Sequence, residues 1–249
     1  MPSATNRITE EASQLPPLIH GFAAEDWLAC WNIQRAGTLV SLDFANEVEF
    51  RKPGLRDVAM EDLQRGSVSA GALAPRVLLL WQAALIRNGG WIGEGVPPYR
   101  TRKTSAEESE RVVRQADVEL RMEEARRDLA PSAPSRIGCL YLAEDSAPGR
   151  TMVSRLKGHD AFLMRVRVKH CLRIARADSQ WLDGQPGDEE IAGYWRGKPR
   201  TGDPVWEYLL DGEIECSDEE ELNRLRPWGQ EALHRASGTQ GPIGTPRGR

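Results

Sequence analysis

Ala-Phe-Leu-Met-Arg-Val-Arg-Val-Lys-His-Cys-Leu-Arg-Ile-Ala, residues 161–175, alternates apolar and basic side chains over almost its whole length. Phe162, Met164, Val166, Val168, Leu172 and Ile174 share one parity, and Arg165, Arg167, Lys169 and Arg173 the other. Period two sustained this far predicts a β-strand with one face in a core. His170 falls with the apolar set, so it reads as a core histidine bonded to backbone or as a general base. The basic parity reads as a solvated sheet face or as a track for a phosphate backbone.

Working outward, Arg136–Ala143 alternates as a second strand, and 205–216 holds one or two more strand pieces. Upstream, Trp27–Ile33 and Thr38–Phe44 read as a hairpin turning at Gly37. The helices are of two kinds. Residues 74–87 are apolar on most sides and predict a buried helix stopped by Asn88-Gly89-Gly90. Residues 104–129 open with a capping-box spacing, carry acids first and arginines last, and keep a narrow apolar stripe. Shorter helices are expected at 58–64, 145–157, 188–197 (helix or turn) and 219–226, with a Gly/Pro-rich loop at 91–103. No internal repeat and no regular βαβ alternation is present, which favours an α+β fold. Residues 1–17 are expected as a flexible arm, 18–235 as a single domain, and 236–249 as a disordered tail.

The 249 residues carry a net charge of −4, without the basic excess usual in nucleic-acid binders. The four cysteines (Cys30, Cys139, Cys171, Cys216) form no Cys-x-x-Cys pair and read as small apolar residues of a reducing compartment. No apolar run approaches a membrane span, and no secretory leader is visible. The expected location is the cytoplasm, or a target cell reached without a classical signal peptide. Phosphate-loop, dinucleotide-fingerprint, zinc-hydrolase and serine-hydrolase motifs are absent, and the four histidines have no metal-ligand spacing.

What remains is Pro134-Ser135-Arg136 before a strand, Tyr194-Trp195-Arg196-Gly197, and Glu207-Tyr208-Leu209-Leu210-Asp211-Gly212-Glu213-Ile214. These landmarks resemble the ADP-ribosyltransferase-like fold, and in particular an uncharacterised bacterial branch with Pro-Ser-Arg, Tyr-Trp-x-Gly and Glu-x-Leu-Leu. The resemblance implies a split, mostly antiparallel sheet with flanking helices. It implies NAD as substrate and transfer of ADP-ribose to a protein or nucleic acid, in a toxin, effector or phage-conflict setting. An antitoxin or inhibitor would be a natural partner; no metal and no membrane enter. Glu207 would be the catalytic acid, assisted by Arg136 and Ser135. Tyr141 would stack on the nicotinamide, and Arg136 would bind the pyrophosphate. Trp31 stands where many members hold the adenosine ribose with His or Arg, leaving Asn32 or Arg35 to substitute. Val205 breaks the Gln/Glu-x-Glu pattern of arginine-modifying members. NAD hydrolysis and a non-catalytic interaction module on the same fold are the alternatives. In a purely architectural reading, Ser135 and Arg136 cap a helix-to-strand loop and Glu207 is an exposed strand end.

Overall fold

The computed structural model describes residues 15–23, 26–67, 75–90, 92, 104–158 and 160–237. The fold is mixed α/β, with an antiparallel sheet that closes into a small barrel. Its strands are β1 (Leu18–Phe22), β2 (Thr38–Val40), β3 (Leu140–Glu144), β4 (Phe162–Asp178) and β5 (Trp206–Cys216). They run in the order β2-β5-β3-β1-β4, and β4 also pairs with β5. Closure depends on the length of β4. Its first residues pair with β1, from Leu18↔Val166 to Phe22↔Phe162, and the rest pairs with β5, from Val166↔Cys216 to Asp178↔Trp206.

The alternation of β4 and β5 fills the barrel with Met164, Val166, Tyr208, Leu210 and Ile214, joined by Leu18, Phe22, Leu140 and Leu142. Helix α1 (Trp27–Ala36) brings Cys30 and Ile33 to the same core. The expected strand at Trp27–Ile33 is therefore a helix. Its apolar run is too short to separate period two from period 3.6, and the i, i+3 pair Cys30/Ile33 decides the matter by packing. Gly37 is not a hairpin turn. It has φ of 71° and donates its N–H to the Ile33 carbonyl, closing α1 as a left-handed cap.

After three residues of β2 the chain turns away from the sheet, also contrary to the expected strand Thr38–Phe44. Ser41 is the cause. Its hydroxyl accepts from Phe44 N and Gly212 N, and its own N–H donates to the Gly212 carbonyl. A helical turn at Leu42–Phe44 and a π-helical stretch at Ala45–Glu49 follow.

Two register shifts interrupt β4, between Val168 and His170 and between Cys171 and Arg173. A bulge adds a residue to one strand and flips the faces beyond it. Cys171, rather than Leu172, packs on the barrel core. His170 turns out to solvent, where it stacks on Phe44 and places Nδ1 2.5 Å from Glu213. It is not a core histidine. The basic residues meet cross-strand or neighbouring carboxylates: Arg165 with Glu221, Arg167 with Glu215, Lys169 with Glu213, and Arg173 with Asp211. Charges so compensated do not make a phosphate track.

Gly212 sits opposite the bulges, and a Cβ there would lie 2.1 Å from the His170 carbonyl oxygen. Gly212→Ala is expected to cost about 1–3 kcal/mol, since backbone must move to admit the methyl. Urea unfolding measures it, and an unchanged midpoint would show that β4 yields freely.

The helices cover the barrel in separate patches. Helices α2 (Met60–Gln64), α3 (Pro75–Arg87) and α4 (Ala106–Leu129) share a core of Leu63, Val77, Leu80, Val112, Ala116 and Leu120. Ser105 caps α4 as expected, accepting from Glu108 N. Helix α5 (Ala147–Lys157) sets Met152 and Val153 against Ile19 and Ala143. Helix α6 (Asp188–Trp195) packs Ile191, Tyr194 and Trp195 against Met122, Ala177 and Leu209. Helix α7 (Glu219–Ser237) sends Leu225 into the barrel core and runs beyond the expected end at 226. The expected arm shortens at its inner end, because Leu15 already packs on the barrel core. Residues 1–14, 238–249 and most of the 91–103 loop lie outside the described residues. No helix among the described residues is long and apolar enough to cross a membrane.

Candidate functional site

Strands β3 and β5 pair with Ala143 opposite Glu207 and Tyr141 opposite Leu209, so Tyr141 and Glu207 share a face. That face points away from the barrel core, under α4 and α6. Arg136 reaches it from a turn rather than a strand. The N–H groups of Gly138 and Cys139 both donate to the Ser135 carbonyl, and the Ser135 hydroxyl accepts from Ile137 N. These bonds curl the backbone, so the strand expected from residue 136 begins at Leu140.

An ionic centre results. Arg136 Nη1 donates to Glu207 Oε1 at 2.9 Å, and its Nε and Nη2 donate to Glu119 at 3.2 and 3.3 Å. The Tyr194 hydroxyl accepts from Arg136 and donates to Glu207. Arg76 Nε donates to Glu119 at 2.7 Å, and its guanidinium lies 3.9 Å over the Tyr141 ring. Tyr141 donates its hydroxyl to the Arg136 carbonyl at 2.7 Å. Two guanidinium groups thus face two carboxylates. Arg136, Glu207 and Tyr194 are 5%, 3% and 0% exposed, while the Arg76 side chain, 27% exposed, forms the solvent side.

Burial would raise the Glu119 carboxyl, but Arg136 and Arg76 outweigh it and pull it down to about 2. Tyr141 and Tyr194 are pushed well up by burial, so both phenols stay protonated donors at neutral pH. The arrangement can hold a fixed carboxylate beside a fixed guanidinium, with a tyrosine ring alongside, in a site of low dielectric.

Of the residues expected at the site, Arg136, Tyr141 and Glu207 come together, and Glu207 is not an exposed strand end. Ser135 lies next door in a second centre. Its hydroxyl donates to Glu123 at 2.9 Å, and Glu123 is gripped by Arg126 and Arg127. Arg126 in turn donates to the Pro131 and Ala133 carbonyls, clamping the α4–β3 loop. Ser135 thus ties that loop to Glu123 of α4. Trp31 and Arg35 lie on α1, away from the centre. Arg35, Asn32 and Glu213 line an open cavity of about 470 Å3. Glu213 is six residues along β5 from Glu207, about 20 Å at the rise of an extended strand.

Sequence reasoning missed Arg76, Glu119 and Tyr194 as site residues. Tyr194 was within the Tyr-Trp-x-Gly landmark. Glu119 and Glu123 follow Ala116 by three and seven residues, on the stripe side of an otherwise charged helix. Acids at that spacing were a readable sign of buried ion pairs.

A different acid stands apart from this centre. Asp211 is fully buried, pairs with Arg173 through Oδ2, and has no partner for Oδ1. Burial, then Asp43, pushes its carboxyl up to about 7, against the pull of Arg173; Glu47 adds to the rise. The folded state therefore holds a proton that the unfolded chain releases near the ordinary carboxylate value of 3.8. This stabilisation is full below that value and is lost as pH rises toward 7. His20 has the opposite effect. Burial, then Lys157, lowers it to about 4, so stability rises with pH up to the ordinary imidazole value of 6.5. Wild type minus Asp211→Asn isolates the acid. The variant is expected to gain on wild type as pH rises from about 4 to 7. Urea unfolding at several pH values checks this, and a constant difference would refute it.

Residues 99–223 match the model of a family described as a protein of unknown function (DUF2441). That stretch contains Glu119, Arg136, Tyr141, Tyr194 and Glu207, with Arg76 outside it. No curated protein matches the chain. Among the described residues, no group of three or more His, Cys, Asp or Glu could hold a metal ion.

Proposed function

Since the chain belongs to the DUF2441 family, we propose from its own ionic centre that it binds NAD and transfers ADP-ribose to a macromolecule, releasing nicotinamide. The observation that carries this reading is the meeting of Arg136 and Glu207 at 2.9 Å beside Tyr141, although 71 residues separate the two charges. In the proposed reaction the bond from ribose C1′ to the nicotinamide nitrogen breaks, and its electron pair neutralises the pyridinium. Glu207 stabilises the cationic ribose left behind. An acceptor nucleophile attacks C1′ and loses its proton to solvent. Arg136, with Arg76 beside it, offers planar donor forks to the pyrophosphate. Tyr141 offers a ring face to the nicotinamide. In the ADP-ribosyltransferase-like reading, β3 and β5 are the strands that flank the nicotinamide. Substrate would enter from the Arg76 side, as α3 and α4 move off Tyr141.

A second reading is favoured by one observation: Glu207 is 3% exposed and is already engaged by Arg136 and Tyr194. On that reading the centre is architectural, and the protein is a non-catalytic interaction module. NAD labelled in its adenylate half separates the two. Incubated with the protein and cell lysate, it is expected to label a macromolecule and release nicotinamide in equal amount. Free ADP-ribose without a labelled macromolecule would mean hydrolysis. No consumption of NAD would leave the interaction module.

A further inference from the structure

We propose that the open edge of β2 is a docking site for an extended, basic segment of a partner protein, which joins the sheet as a further strand. Strand β2 pairs with β5 alone and ends the sheet, whereas every other strand has more than one neighbour. Leu39 lies opposite Ile214, and Ser41 N donates to the Gly212 carbonyl. Bonded and non-bonded positions alternate along an antiparallel pair. Leu39 and Ser41 therefore turn their backbone groups to β5, and Thr38 and Val40 turn theirs outward. Among the described residues no backbone group meets the outward N–H and C=O of Thr38 and Val40.

The edge is accessible without any movement of the fold. All three residues of β2 line the open cavity of about 470 Å3, together with the C-terminal turn of α1, Glu49 and Glu213. An incoming strand takes its affinity from main-chain bonds to such an edge, and its preference from the side chains beside it. Those side chains favour a cation. Glu49 is exposed and makes no ion pair among the described residues. Glu213, which also holds Lys169 and His170, brings a second carboxylate. The last carbonyls of α1 add the partial negative charge of a helix C-terminus. Arg35 is the one cation of the lining, so the balance is negative, and a lysine or arginine on the incoming strand complements it. A second copy of the chain fits less well. Two β2 edges joined about a twofold axis would bring the carboxylates of both copies to one seam, where like charges repel. The site is separate from the ionic centre at the other end of β5, and does not rest on the ADP-ribosyl reading.

The test selects random peptides displayed on phage against the full chain. Synthetic peptides of the selected sequences are then titrated by calorimetry against wild type, Val40→Pro and Glu49→Lys. Val40→Pro removes one outward N–H and leaves the bonds between β2 and β5, the setting in which a sheet admits proline. Glu49→Lys reverses an exposed charge, and serves if the proline variant does not fold. Selected sequences are expected to alternate in the manner of a strand and to carry Lys or Arg. Their affinity should fall about tenfold or more in each variant, and should weaken with added salt. Equal binding by all three proteins would overturn the proposal. So would a selection that yields no sequence specific for wild type, or sequences without Lys or Arg. A loss in Glu49→Lys with none in a folded Val40→Pro would mean a contact of charges alone, and would refute strand addition. Self-association of wild type that Val40→Pro abolishes would assign the edge to a second copy and refute the basic partner.

Discussion

Arg136→Ala is expected to lower stability by about 3–5 kcal/mol, the usual effect of removing one partner from a buried ion pair. Arg136 serves Glu207, Glu119 and the Tyr194 hydroxyl at once. Its loss leaves Glu207 with Tyr194, and Glu119 with Arg76. Neither carboxylate can recover its hydration without opening the packing of α4 and α6 on the sheet. For a domain of this size the melting temperature should fall by about 6–20 °C. Exchanging the centre for uncharged groups is a different matter. Arg136→Met made together with Glu207→Gln should recover much of the loss, because Glu119 keeps Arg76 as its partner and no unpaired charge then stays buried. Calorimetry of the single and double variants measures both effects. A single variant within about 0.5 kcal/mol of wild type, the range of ordinary surface substitutions, would mean that water already reaches the centre.

Glu207→Gln is expected to reduce NAD turnover by about 100- to 1000-fold while leaving the fold intact. Glutamine has nearly the volume of glutamate, and its amide oxygen still accepts from Arg136. The stability change should stay near 1–3 kcal/mol, the range for weakening a buried polar bond. The negative charge beside the developing ribose cation is gone. A uniform binding role would raise KM and spare kcat, whereas stabilisation confined to the transition state lowers kcat. Full turnover in this variant would remove Glu207 from the chemistry and, with it, the reason for placing NAD at this centre.

The two predictions draw on residues that were unequally legible in the sequence. The strand at 162–175 announced itself, because period two over that length has no other reading. The capped helix ending at Leu129 did so as well, through Ser105 and its charge order. Trp27–Ile33 did not, because seven apolar-rich residues fit either period and only the barrel core chooses between them. The bulges at Val168/His170 and Cys171/Arg173 left no trace that a count of alternation could detect, so His170 was assigned the wrong face. Leu18–Phe22 was missed as a strand because Gly21 and His20 interrupt the apolar pattern. His20 is nevertheless held inside, its ring nitrogen bonded to the Tyr141 carbonyl at 2.8 Å. At the centre, Arg136, Tyr141 and Glu207 were named from landmarks, but their mutual contact depends on the register of β3 with β5. Arg76 and Glu119 carried no landmark. Their roles follow from the way α3 and α4 lie together over Ile137 and Tyr141.

The pairing of β1 with β4 has a consequence for how the chain is made. Leu18–Phe22 is an apolar strand whose longer ladder is with Phe162–Val166, some 140 residues later in the sequence. At the usual pace of synthesis, about 5–20 residues per second, that partner is made roughly seven to thirty seconds afterwards. Until then the first strand has only the short pairing of Leu18 and Ile19 with Glu144 and Ala143 of β3, and β2 waits longer still for Glu213–Glu215. Pairings so distant along the chain also carry a large loop-closure cost, which makes them late steps of folding. The barrel is therefore closed by its final third, and a nascent chain halted before β3 would carry an unpaired apolar strand at Leu18–Phe22, the kind of segment that holdase chaperones bind.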